Sequence, residues 1–254
     1  MLILLSPAKK LSTDGDKLAD FTLPKFTNES GELIKELRKY SPKKLQQLMK
    51  VSKDIAELNV ERYSKWIENH DLENAKQAIL TFTGEVYNGL NVSSFSANDF
   101  NYVQEHLRIL SGLYGVLKPL DLIHEYRLEM GTKLKFKKNT NLYIFWGDKI
   151  VNELNDTLKS HQNKTIVNLA STEYFKAVNV KKLKADMVTP IFKDGKNGEY
   201  KVVMMYAKKA RGMMANYIIK NRIENAEDLI SFNVDGYYFN PKISNEKELV
   251  FHRN

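Results

Sequence analysis

The run KVVMMYAKKARGMMANYIIKNRI, residues 201–223, holds six cations and no carboxylate. Three of them, Lys208, Lys209 and Arg211, fall where a basic helix over about residues 208–222 is predicted to begin. Cations there oppose the helix dipole, at roughly 0.3–1 kcal/mol each when exposed. A bound anion reverses that penalty, because helix N-terminal amides with nearby Lys or Arg form a phosphate site. A solvated basic face is the plainer account. Ala210, Met214, Tyr217 and Ile218 recur at helical spacing in the same run and belong to the core.

Other stretches carry polar groups that a core does not need. In EYRLEMG, residues 125–131, an extended chain puts Arg127 and Glu129 on one face and Leu128 and Met130 on the other. The pair is either a structural ion pair, or an arginine that binds a phosphate or carboxylate beside a glutamate that orients it or acts as a base. In NLASTEY, residues 168–174, Ser171 and Glu173 suit a helix cap, while Asn168 at the end of a buried strand needs several partners. Ser6 and Lys9 follow one apolar run in the same manner. Ser111 and Tyr114 follow another, in LRILSGLYGVLKPLDL (107–122), where Gly112 and Gly115 let the backbone approach a ligand and Tyr114 offers a flat wall or hydroxyl. Ser6, Lys9, Arg127, Asn168, Ser171, Lys208, Lys209 and Arg211 are therefore the candidate anion-binding residues. Glu129, Glu173, Ser111 and Tyr114 are the candidates for any catalysis.

Several chemistries are excluded. The chain has no cysteine, which rules out disulfides, thiolate metal sites and cysteine nucleophiles. Its five histidines, at 70, 106, 124, 161 and 252, are scattered without ligand spacing, so no metal is expected. The glycine pairs Gly84–Gly89 and Gly112–Gly115 lack the lysine and hydroxyl of a P-loop, and neither matches the dinucleotide fingerprint. No cofactor is expected either, and hydrolase, kinase and dehydrogenase signatures are all missing.

The elements that must hold these residues read as a mixed α/β fold. Five short apolar runs share one layout: LILLS (2–6), AILTF (78–82), LRILS (107–111), LYIFW (142–146) and TIVNL (165–169). Each ends at once in small or polar residues, as a buried strand does on its way into a loop or helix. Ligands in such folds gather where the carboxyl ends of strands open into loops. Helices are predicted over about residues 30–40, 42–50 and 52–69, forming a helical-hairpin subregion near the N-terminus within a single domain over residues 1–254. MVTPIF, the turn DGKNG and EYKVVMMYA read as a β-hairpin, and FNVDGYYF and ELVFH as two closing strands, giving antiparallel C-terminal strands. The fold expected is a central mixed sheet flanked by helices.

The net charge of +8 is uneven. Residues 1–127 hold 17 cations and 17 carboxylates, whereas residues 128–254 hold 22 and 14. The whole excess lies in the C-terminal half, which suggests a polyanionic partner or an anionic substrate. No run approaches the roughly 18 apolar residues of a membrane span. The first lysines follow the opening apolar run instead of preceding it, so no secretory signal is read and a cytoplasmic location is expected.

The runs LLSPAKKL (4–11), TFTGEVYNGL (81–90), LRILSGLYGVLKPLDL (107–122), YRLEMGTKL (126–134), NLYIFWGDKI (141–150), VNLASTEYFKAV (167–178), YAKKARGMMANYIIKNR (206–222) and FNVDGYYF (232–239) resemble, in order, the YaaA family of bacterial peroxide-stress-resistance proteins. The likeness implies a cytosolic protein of the hydrogen peroxide response that helps limit free iron. It also implies DNA binding, a positively charged cleft and a helix-hairpin-helix element in an unusual α/β fold. It implies no particular reaction. Glu125 stands where the family carries proline, an exchange expected to loosen that turn. The hairpin turn carries Lys50 and Ser52 where a DNA-gripping hairpin has glycines, so Lys50, Ser52 and Lys53 are either DNA contacts or part of a plain helical hairpin. Two functional readings stay open. One is a stress protein that binds DNA independently of sequence. The other is an enzyme acting on a phosphorylated or nucleotide-like small molecule at the strand ends. No membrane contact is expected and no protein partner can be inferred.

Overall fold

The computed structural model describes residues 1–254. The first apolar run forms β1 (Leu2–Leu5), buried along its whole length. Its neighbours in the sheet are β2 (Leu107–Ser111) and β4 (Thr165–Asn168), both parallel to it. A strand with parallel partners on both sides and layers on both faces must be apolar throughout, which is why these runs do not alternate. Between them in sequence, β3 (Gly115–Leu117) folds back antiparallel on β2. The long β5 (Asp186–Lys196) runs parallel to β4 and pairs with the short β6 (Glu199–Lys201) in a hairpin. At the end of the chain, β7 (Tyr238–Phe239) is antiparallel to β8 (Glu248–Arg253), and β8 joins β5 in parallel. The sheet order is β7-β8-β5-β4-β1-β2-β3, with β6 on β5. The expected mixed α/β class and antiparallel C-terminal pairs are present.

Two of the five apolar runs are not strands. Ala78–Thr81 is a single helical turn, and Leu142–Trp146 is a short helix. An apolar run of four or five residues fits a buried strand or a buried helical turn equally well. The flanks decide here. Asn141 caps the second run by accepting from the Ile144 amide at 3.0 Å, and Gly147 at φ +47° ends it. FNVDGYYF is likewise strand only at Tyr238–Phe239, because Asp235 at φ 55° turns the chain just before it.

Near the N-terminus α1 (Thr27–Leu37) is followed by the hairpin of α2 (Pro42–Met49) and α3 (Lys53–Lys65). Ser41 with Pro42 starts α2, and the Ser52 side chain caps α3. Lys50, in left-handed conformation at φ 53°, makes the turn that glycine makes most cheaply. Leu45, Ala56 and Tyr63 of the hairpin belong to the same cluster of 61 buried apolar residues as β1. The hairpin is also tied down polarly. The Tyr63 hydroxyl donates to the Arg127 carbonyl, and Arg62 meets Glu125 at 2.7 Å. Glu125, expected to loosen its turn, thus anchors that turn to α3.

Further along the chain α7 (Met204–Asn221) packs on α4 (Glu85–Leu90) and α5 (Ala97–His106), while α6 (Lys149–Leu158), beside α1, buries Ile150, Val151, Leu154 and Leu158. α4 and α7 cross at glycines. A Cβ on Gly212 would run into the Val86 carbonyl and sit 2.7 Å from the Leu90 amide; one on Gly89 would sit 2.9 Å from the Met213 amide. α7 starts four residues earlier than the sequence suggested. Its first turn is apolar, and Lys208, Lys209 and Arg211 fall in its second turn, beyond the reach of the N-terminal dipole.

Candidate anion site at the strand ends

β1 and β4 end side by side, and the residues that follow them meet. The Ser6 hydroxyl accepts from the Ser171 amide at 2.8 Å and lies 3.2 Å from the Ser171 hydroxyl. The Tyr87 hydroxyl on α4 donates to the Ser6 carbonyl at 3.1 Å. Asn168 is spent on its own turn: its Oδ1 accepts from the Ala170 amide at 3.1 Å, and its amide donates to Thr189 Oγ1 at 3.4 Å. Ser171 does not cap the following helix, Thr172–Phe175, with its side chain.

The alternation read in EYRLEMG holds. Leu128 and Met130 are buried, and Arg127 and Glu129 emerge together. Glu129 carries a cation on each oxygen, Arg127 at 2.8 Å and Lys9 at 2.7 Å. Arg127 keeps one buried donor, Nε, without a partner. Glu173 accepts from the Gly131 amide at 2.9 Å through one oxygen. A cleft of about 450 Å³ is lined by Glu129 and Glu173, by Met49 and Lys50 of the hairpin turn, and by Thr132 and Lys133. A larger, wholly polar hollow of about 870 Å³ lies beside His106 and His161, at the amino ends of the parallel strands, and holds none of these residues.

Ser111 and Tyr114 lie behind this cleft, fully buried. The Ser111 hydroxyl is 2.6 Å from the Tyr126 hydroxyl and accepts from the Tyr114 amide. The Tyr114 hydroxyl accepts from Trp66 Nε1 at 2.9 Å and from the His124 amide at 3.2 Å, leaving its proton for His70 Nε2 at 3.2 Å. Every hydrogen-bonding position of that oxygen is filled. The turn between β2 and β3 is no ligand wall but a packed corner. A Cβ on Gly112 would strike the Leu128 carbonyl, one on Gly115 would come within 2.7 Å of Trp146, and Ser30 on α1 donates to the Leu113 carbonyl.

The basic helix offers a different kind of cation. Arg211 is half-buried, and burial lowers its pKa with no charged group acting against it. Lys208 is exposed, and Lys209 reaches Asp235 only at 3.9 Å. β5 outruns β4 and carries the β6 hairpin past Asn168, so α7 begins at the same end of the sheet as Ser6 and Ser171.

A profile of the family described as Peroxide stress protein YaaA matches residues 1–243. The chain belongs to that family. It is 53% identical over 254 residues to a UPF0246 protein of Aliivibrio fischeri strain MJ11, covering 100% of this chain and 98% of that one. A UPF0246 protein of A. fischeri strain ATCC 700601 / ES114 is 52% identical over the same span. In this member of the YaaA family, then, Ser6, Lys9, Arg127, Glu129, Ser171 and Glu173 gather at one end of the sheet. Lys50 joins them across the cleft, whereas Ser52 and Lys53 start α3 on the exposed side. Arg211 forms no ion pair with this group. Sequence reasoning missed Tyr87 and Tyr126, which fix Ser6 and Ser111 from behind. The only available signal was that a buried tyrosine hydroxyl needs a partner. No helix is long and apolar enough to cross a membrane, and no three His, Asp or Glu side chains are grouped to hold a metal ion.

Proposed function

We propose that this YaaA-family protein binds DNA through its backbone, without sequence preference, and so limits iron-dependent damage in the cytoplasm during peroxide stress. The observation that carries the reading is the charge arrangement of the cleft. Exposed lysines, Lys50 and Lys133, line it; its Glu129 carboxylate is already matched by Lys9 and Arg127, which leaves Glu173, held by the Gly131 amide, as the one carboxylate there without a cation. Lys43, Lys44 and Lys53 are further exposed lysines of the hairpin outside the cleft, Lys53 lying 3.7 Å from Glu57. Lysines on phosphates release condensed counterions, and ferrous iron held near DNA as a counterion is released with them. Protection on this account needs no iron ligands of the protein's own. Titration of a labelled duplex at two salt concentrations tests it. Affinity should fall steeply with salt, and K50E/K53E should weaken binding equally for unrelated sequences. A salt-independent affinity would rule the reading out.

Arg211 favours a second reading, an enzyme or receptor for a phosphorylated or nucleotide-like small molecule. A desolvated guanidinium without a carboxylate is most easily neutralised by such an anion. Calorimetry with inorganic phosphate and a nucleoside monophosphate, on the wild type and R211M, distinguishes the two readings. A heat signal lost in R211M supports the small-molecule site, and no signal in either protein removes it.

A further inference from the structure

The outer part of the sheet has one face that the core does not use. Phe192 of β5 and Phe251 of β8 point inward, stacking on each other and meeting Phe232 and Tyr237. Their neighbours in sequence must point outward. Cross-strand register puts Tyr238 of β7 opposite His252 of β8, and His252 opposite Lys193 of β5. From the other side of β5, Tyr200 of β6 pairs with Gly195, and its ring lies where a Gly195 side chain would be, with a Cβ there only 2.9 Å from the ring. The missing side chain lets that ring cross β5 to reach the imidazole. Tyr200 and Tyr238 lean on His252 from two sides, at centroid distances of 4.5 and 4.2 Å. The result is a three-ring cluster, its tyrosines tilted by 43° and 60° to the imidazole, whose outer members are 37% and 45% exposed.

We propose that this face binds single-stranded nucleic acid by stacking unpaired bases on Tyr200 and Tyr238. Three observations select that occupant. The two tyrosines are grouped on one face instead of scattered singly, and grouped exposed aromatics mark a binding surface. Flat side chains on a strand surface stack on bases only when those bases are free of a duplex, since paired bases already stack on one another. Lys193 lies beside His252 on this face without a carboxylate partner, and the C-terminal half carries the entire positive excess, so the surroundings suit phosphates. His252 is nearly buried beneath the tyrosines, and burial lowers its pKa, so it supports them from below as a neutral ring. The face shares no residue with the cleft lined by Lys50 and Lys133, and it stands or falls independently of duplex binding there.

Fluorescence anisotropy with a labelled thymidine oligomer of about 12 nucleotides tests the proposal on the full chain, with an abasic oligomer of equal length as control. Both tyrosines are exposed, so Y200A/Y238A should keep its fold, which circular dichroism checks. Wild type should bind the thymidine oligomer at least about tenfold more tightly than the abasic one, and the double alanine variant should lose that margin. Y200F/Y238F should retain it, because stacking needs the ring and not the hydroxyl. K50E/K53E should leave it unchanged. Equal affinity of wild type and Y200A/Y238A for the thymidine oligomer would overturn the proposal. So would a wild type that dimerises where the alanine variant stays monomeric with unaltered oligomer binding, since the face would then be a contact between copies.

Discussion

Two groups of positive charge in this protein differ in what they meet. At the strand ends Lys9 and Arg127 share Glu129 at 2.7 and 2.8 Å, and close by Arg62 takes Glu125. On α7 Arg211 is desolvated with no counter-charge, Lys208 stands free, and Lys209 has a carboxylate only at 3.9 Å. The first group is closed: each of its cations has a carboxylate within the fold, and the Arg62–Glu125 pair holds the 125–131 segment against α3. The second is open, and its neutralisation is left to solvent or to an anion. Net charge by itself does not separate the two, because a paired lysine and a free one count alike. What separates them is how the fold would respond to losing each cation.

The seat of the open group should show the largest response. α7 lies against α4 with glycines at the crossing, and a methyl on Gly212 would overlap the Val86 carbonyl. Neither backbone can yield without moving a helix. Gly212→Ala should therefore cost about 3 kcal/mol, the upper part of the range for overpacking, seen as a lower urea midpoint. A loss under about 0.5 kcal/mol, the usual range for neutral surface changes, would mean that the helices are not so closely seated. The closed group should come next. Arg127→Met leaves Glu129, only 22% exposed, with a single cation, and should destabilise by about 2 kcal/mol, less than a fully buried broken pair. Lys9→Met should cost well under half as much, because the Lys9 side chain is 62% exposed and solvent already screens it.

The hairpin is docked by neutral groups as well as charged ones, which gives the comparison a pH axis. Burial, with His70 beside it, holds His124 down at about 4 against an ordinary 6.5, and burial lowers His70 too. The unfolded chain then binds more protons than the folded one between about pH 6.5 and 4. Stability is complete above that window and falls as the pH drops through it, by about 1 kcal/mol per pH unit. His124→Asn should flatten the fall, as read from urea midpoints at neutral pH and at about pH 5. A slope identical to wild type would assign the acid sensitivity to other groups.

How far the sequence foretold this arrangement depends on the range of the interaction concerned. Leu2–Leu5, Leu107–Ser111 and Thr165–Asn168 were legible as central strands because burial on both faces leaves an unbroken apolar run. Arg127 and Glu129 were legible as partners because strand alternation is local. Leu142–Trp146 was misread although Asn141 and Gly147 carried the cap signals, since the five apolar residues between them outweighed two flanking ones. The start of α7 was misread because Val202 to Tyr206 has the composition of a strand and follows one. Gly112 and Gly115 read in the sequence as room for a ligand. The room is filled by the Leu128 carbonyl and the Trp146 ring, from 16 and 31 residues further along, which no local pattern reveals.

The smallest expected effect is the one that most sharply divides the two groups, and its sign runs the other way. Arg211→Met replaces a half-buried, unpaired guanidinium with an apolar side chain that fills much of the same volume. No carboxylate loses a partner, and the cost of desolvating the charge disappears. Stability should stay level or rise by up to about 1 kcal/mol, where Arg127→Met loses about twice that. If Arg211 meets a phosphate of bound DNA, the same substitution should weaken duplex binding and reduce the slope of log affinity against log salt by about one. A variant that is both more stable and weaker in binding marks Arg211 as a cation held for an external anion. A variant destabilised as much as Arg127→Met would place it in the closed group, with a partner inside the fold.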